Sequence, residues 1–146
     1  MSRLLALDHG KRRIGVAVAD SETGMAFARR AIQRRNLDHD LALVRELCTS
    51  EGVDQVVIGL PLNMDGTEGP QAALVREFGT ALEAAGLGVI YEDERLSSWE
   101  AAERLAAAGQ RVERGSGELD STAARVILQQ YLDARHRPGS PVEETE

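Results

Sequence analysis

Short apolar runs punctuated by polar turns fill the first third of the chain. "RLLALD", residues 3–8, is apolar until Asp8, and "RIGVAVAD", residues 13–20, resumes the apolar pattern after Gly10 and the cations Lys11, Arg12 and Arg13. Two such runs joined by a short glycine-containing turn predict a β-hairpin. "MAFARRAIQRR" adds a candidate third strand. In "LDHDLALVRELCTSEG" the apolar positions 41, 43, 44 and 47 follow a helical period, with Asp38 as a candidate N-cap and Gly52 past the end. "VDQVVIGLP" is a continuous apolar run stopped by Pro61, the pattern of a strand covered on both faces.

"LNMDGTEGP" is a loop dense in Asn, Asp and Gly, and "PQAALVREFGTALEAAG" predicts a helix with Pro70 in its first turn and Gly86 as its stop. "LGVIYEDE" returns to strand. "SSWEAAERLAAAG" predicts a helix capped by Ser97 or Ser98, with Glu100 and Glu103 in its early turns. "QRVERGSGE" is a polar linker, and "LDSTAARVILQQYLDARH" predicts a closing helix. The order, a front hairpin followed by alternating helix and strand, predicts an α/β layered fold that is antiparallel at one edge and parallel elsewhere. One domain is expected over 1–136, and "RPGSPVEETE", 137–146, reads as a disordered acidic tail.

Composition narrows the class. A chain of 146 residues buries enough surface to fold without disulfides or a structural metal. The single cysteine, Cys48, sits in the apolar periodicity of its helix and reads as a core residue. No signal-peptide pattern opens the chain and no apolar stretch approaches the ~20 residues of a membrane span, so a cytoplasmic protein with no membrane partner is expected. The net charge of −7 argues against a polyanionic partner, but it is unevenly spread: residues 1–50 carry +3 and the remainder −10. Affinity for nucleic acid depends on a local basic face, which this distribution permits.

Three acids occupy element ends. Asp8 closes the first strand, Glu94 closes "VIYEDE", and Asp120 opens the last helix in "GELDSTAA". Ligands of open α/β sheets gather beyond the carboxyl ends of strands, where these acids would meet. Carboxylates in close proximity repel, and hard divalent cations resolve the conflict. Each acid also has a plainer reading: Asp8 as a turn cap, Glu94 as a partner of Arg95, Asp120 as a helix N-cap.

Taken together, "LDHGKRRIGVA", "VVIGLPLNMDGTEGPQA", "DERLSS" and "LDSTAARVILQQYL" resemble the YqgF family, also called RuvX-like or Holliday-junction-resolvase-like proteins. The resemblance runs in order over residues 3–133. It implies a ribonuclease-H-like fold, a five-stranded mixed sheet with helices on both faces. It also implies a divalent-metal-dependent nuclease that matures the 5′ end of pre-16S ribosomal RNA, acting on ribosomal particles. The alternatives are a Holliday-junction-resolvase-like DNA endonuclease and a non-catalytic RNA-binding assembly factor.

The family's catalytic and metal-binding acids fall on Asp8, Glu94 and Asp120, which would hold Mg2+ or Mn2+, two ions with substrate bound. A fourth acid expected near the third is matched here only by Glu118, and 111–120 carries Gly-Ser-Gly-Glu where basic residues would suit RNA better.

Lys11, Arg12, Arg13, Asn63 and Arg95 are the candidate nucleic-acid contacts. Arg29, Arg30, Arg34 and Arg35 would extend the cationic face, or simply keep an edge strand from pairing. Asn63, Asp65, Gly66 and Gly69 precede a helix N-terminus, a placement suited to phosphate or to a tight loop. Trp99 is a candidate base-stacking residue or a packed one, and His9 a proton shuttle or a bystander in a turn. The first block also resembles the phosphate loop of actin-like ATPases, which run longer and carry a second such loop that this sequence lacks.

Overall fold

The computed structural model describes residues 3–20, 22–93 and 121–135. Five strands, β1 (Arg3–His9), β2 (Arg13–Asp20), β3 (Met25–Gln33), β4 (Gln55–Leu60) and β5 (Gly88–Asp93), form one sheet in the order β3-β2-β1-β4-β5. The pairs β1–β2 and β2–β3 are antiparallel; β1–β4 and β4–β5 are parallel. The mixed sheet expected from the strand pattern is therefore present, with all five strands where the apolar runs predicted them.

Among the described residues three helices flank the sheet: α1 (Leu37–Glu51), α2 (Pro70–Ala84) and α3 (Thr122–Arg135). The strand period of two sorts side chains between its faces. Leu5 and Leu7 of β1, Val16 and Val18 of β2 and Val56 and Ile58 of β4 pack with Val44 and Cys48 of α1 and Val75, Phe78 and Leu82 of α2. Leu4 and Ala6, Ala17 and Ala19, Ala26 and Val57 form the other layer with Ala124, Ile127, Leu128 and Leu132 of α3. Alanines dominate the sheet side of that second layer, which lets α3 lie close. Central strands buried on both sides are apolar at nearly every position, which is why β2 and β4 read as unbroken hydrophobic runs.

The start of α1 differs from expectation. Asn36, not Asp38, is its N-cap, with Oδ1 accepting from the His39 amide at 2.8 Å. Asp38 lies in the first turn, where its charge favours the helix dipole. Gly52 ends the helix at φ 70°, a conformation that suits glycine. The helix predicted over 97–109 lies outside the described residues, as does the tail from residue 136.

Candidate active site

Because β1, β4 and β5 run parallel, their carboxyl ends share one rim of the sheet. Asp8 is the next-to-last residue of β1. By alternation with Leu4 and Ala6 it faces the α3 layer, while His9 faces α1 and α2. Its cross-strand partner is Gly15, which places no side chain beside it. The carboxylate is half-buried, and burial alone raises its pKa. An acid held in this way at a strand end is short of compensating positive charge.

The beginning of α3 comes to the same place. Ser121, fully buried, accepts a hydrogen bond through Oγ from the Val16 amide at 3.0 Å. Val16 is the residue after Gly15, so α3 is stitched to β2 one position from the partner of Asp8. A β-bulge makes the contact available: the β2–β3 register slips between Ile14 and Val16, freeing backbone groups from the ladder.

On β5, Ile90 packs in the α3 layer, so Glu92, two residues on, faces the same way. Its Oε2 accepts from Gln130 Nε2 of α3 at 2.7 Å. Of the three acids singled out in sequence, only Asp8 is among the described residues; Glu94, Asp120 and the fourth-acid candidate Glu118 lie outside them, as do Arg95 and Trp99. Among the described residues there is no group of three or more His, Cys, Asp or Glu side chains able to hold a metal.

The candidate substrate contacts divide. Lys11, Arg12 and Arg13 are exposed at the rim, in and just after the β1–β2 turn. Asn63 stands in the loop after β4, where its side-chain amide donates to Thr67 Oγ1 at 2.9 Å and its backbone amide to the Thr67 carbonyl at 2.8 Å. Asp65 Oδ1 accepts from the Thr67 amide and hydroxyl, so the loop closes on itself. Of the four arginines that followed in sequence, two are consumed by the fold. Arg29 joins Arg3 in pairing with Glu51, and Arg34 turns inward to Asp40 and the β1–β2 turn.

His9 is not part of the acidic rim. It is buried, with its ring 5.0 Å from that of Phe78 on the α1–α2 side, and burial, helped by Arg34, lowers its pKa. Cys48 is buried and its thiol is pushed up to about 11 by burial, as befits a core residue. Sequence reasoning missed Ser121, Asp40 and Gln71, and it read Arg34 as a surface cation rather than as the tether of the β1–β2 turn. Only Ser121 carried a local signal, as a small hydroxyl residue at a predicted helix start.

Residues 2–134 match the family model described as "RuvX: Holliday junction resolvase". The chain belongs to the RuvX family. Relatives in it include a protein of Anaeromyxobacter dehalogenans strain 2CP-1, 50% identical over 135 residues, which span 91% of this chain and 98% of that one. A protein of Syntrophomonas wolfei is 43% identical over 132 residues, 90% of this chain and 94% of that one. Both bear a name proposing pre-16S rRNA nuclease activity. RuvX proteins are thus nucleases, hydrolases of phosphodiester bonds, and nucleic acid is the partner class.

Among solved structures, RuvC of Thermus thermophilus superposes with a TM-score of 0.62 at 15% identity, covering 91% of this chain and 95% of its own. Fowlpox virus resolvase in complex with Holliday junction DNA gives 0.58 at 10% identity, covering 92% and 99%. These likenesses confirm the ribonuclease-H-like fold. No described helix is long and apolar enough to cross a membrane.

Proposed function

We propose that this RuvX chain is a divalent-metal-dependent nuclease that matures the 5′ end of pre-16S ribosomal RNA, working on ribosomal precursor particles in the cytoplasm. Residues 1–136 would form its single catalytic domain. The observation that carries the reading is the meeting of β1 and α3: Asp8 faces the α3 layer opposite Gly15, and Ser121 is bonded to Val16 next door. Asp120 is the residue immediately before Ser121 in the sequence. Glu94 is the next residue in the chain after β5, on which Ile90 packs in the α3 layer and Glu92 follows it by alternation.

Three carboxylates suit Mg2+ or Mn2+, hard ions that take oxygen ligands. Asp8 fits such an ion: burial is the one influence that raises its pKa, and a dication would supply the missing charge. Asp8, Glu94 and Asp120 would hold two such ions with the substrate, and the ions would supply an activated water and stabilisation of the leaving oxygen of the phosphodiester. Lys11, Arg12, Arg13 and Arg95, with Asn63, bind backbone phosphates and set the register of the strand without reading sequence.

A parallel digestion of pre-16S rRNA and a four-way DNA junction, with Mg2+ or Mn2+, tests the proposal. Cleavage of the RNA, abolished by chelation and by Asp8→Asn, is the expected result. Preferential cleavage of the junction would favour the resolvase reading that the family description supports. Metal-dependent RNA binding without cleavage of either substrate would instead make the chain a non-catalytic assembly factor.

A further inference from the structure

The turn that follows Asp8 is tethered at every carbonyl. The His9 carbonyl accepts from Gln71 Nε2 at 3.1 Å. The Gly10 and Lys11 carbonyls both accept from Arg34 Nη1, at 2.7 and 3.3 Å. The Arg12 carbonyl accepts from the Arg34 amide at 2.9 Å, and the Arg13 carbonyl from the Gly10 amide at 2.9 Å. Two residues far along the chain, one on the segment after β3 and one in the first turn of α2, thus hold four consecutive carbonyls. The turn has little slack of its own, since a Cβ at Gly10 would lie 2.8 Å from the Arg13 carbonyl oxygen.

Arg34 is itself braced. Its Nε lies 3.5 Å from Oδ2 of Asp40, which is only 1% exposed. That carboxylate also accepts from the Arg35 amide at 3.1 Å and meets His39 Nδ1 at 2.9 Å. The planar guanidinium therefore spans from a buried acid to two carbonyls, a geometry that one lysine ammonium cannot reproduce. With the carbonyls of the turn drawn inward, Lys11 and Arg12 are left with their side chains in solvent at the rim.

We infer that Arg34 and Gln71 are positioning residues for the nuclease reaction. They fix the turn that carries Asp8 at one end and the phosphate-binding cations Lys11 and Arg12 at its tip, so that acid and cations keep one mutual geometry. Each acts through the backbone carbonyls of the turn that it holds. The inference rests on the nuclease reading above. Small displacements of reacting groups are costly to rate, so the effect falls on kcat rather than on binding.

The test compares wild type, Arg34→Lys and Gln71→Met by steady-state cleavage of precursor rRNA with Mg2+, by melting, and by amide hydrogen exchange. Arg34→Lys keeps a cation beside Asp40, and Gln71→Met removes a single hydrogen bond at a partly exposed site. The expected result is a kcat lower by about tenfold for Arg34→Lys and about threefold for Gln71→Met, with KM within about twofold. Exchange at residues 10–13 should be faster in both, with the cores of α1 and α3 unchanged.

Wild-type kcat and wild-type exchange in Gln71→Met overturn the inference for that residue, and the same result in Arg34→Lys overturns it for Arg34. If Arg34→Lys does not fold, Gln71→Met decides for the tether as a whole. If wild type itself cleaves nothing, the nuclease reading fails separately. Exchange at 10–13 then decides whether the tether exists, and unaltered exchange overturns it.

Discussion

Asp8 stands directly across the β1–β2 ladder from Gly15, the one residue of β2 that can face it without a side chain. Cross-strand Cβ atoms sit only about 4.5–5.5 Å apart, so any larger residue at 15 would crowd the carboxylate. The glycine places no side chain beside an acid that burial already makes reluctant to ionise.

That reluctance has a consequence for stability. The folded-state pKa of Asp8 is raised above its ordinary value of 3.8, so the native chain binds this proton more tightly than the unfolded chain. The favourable contribution is fully present below that ordinary value and is lost as pH rises through the folded pKa. At neutral pH the charged group is a net cost. Asp8→Asn should therefore melt higher than wild type at pH 7 without metal, with the gap closing in acid. Mg2+ should raise the melting temperature of wild type and not that of the variant, while cleavage falls by at least about a hundredfold in Asp8→Asn. Calorimetry across pH, with and without Mg2+, checks the sign.

Ser121→Ala removes the acceptor that holds the start of α3 to Val16. The Val16 amide is left buried and unpaired, at a cost of about 1–3 kcal/mol. Because the same bond sets the entry of α3 beside Asp8, activity should fall more than the loss of folded protein explains. Ser121→Thr, which keeps the hydroxyl, should recover part of it. Denaturant melts paired with cleavage rates per folded molecule measure both effects.

How much of this was legible beforehand follows from the range of each interaction. The five strands and the helices α1, α2 and α3 announce themselves through local periodicity and caps, and Asp8 through its place at a strand end. Asn36 and Asp38 are both competent caps two residues apart, and only the chain's path out of β3 chooses between them. Arg34 read as a solvated cation because its partners lie across 23 and 24 residues of sequence and are backbone carbonyls, which every residue carries. Ser121 reaches across 105 residues. Periodicity carries no trace of such contacts.

Gly79, buried in α2, faces Tyr91 of β5. A Cβ at 79 would collide with the Tyr91 hydroxyl and lie 2.9 Å from the ring carbon that bears it. Gly79→Ala should thus destabilise by about 1–3 kcal/mol despite alanine's better helix propensity, because the packed ring must shift. Removing the hydroxyl with Tyr91→Phe should return part of the loss, a coupling that a double-mutant cycle resolves. Both residues belong to the α1–α2 side, so cleavage per folded molecule should stay at the wild-type level. That makes the pair a control for the rim variants.

Lys11 and Arg12 are exposed at the tip of the β1–β2 turn, and no described acid pairs with them. A cation with no acid partner among the described residues can give its charge to a phosphate, and each contact made this way releases counterions. Lys11→Ala/Arg12→Ala should raise KM for precursor rRNA by about tenfold at low salt and change kcat little, since uniform binding is what is lost. The slope of log affinity against log salt should become shallower by about 1.4 for single-stranded RNA, about 0.7 for each phosphate contact removed. Arg29→Ala and Arg3→Ala, whose charges are already spent on Glu51, should leave that slope unchanged. A salt titration of binding to one RNA, run on all four proteins, separates cations that meet the substrate from those that hold the fold.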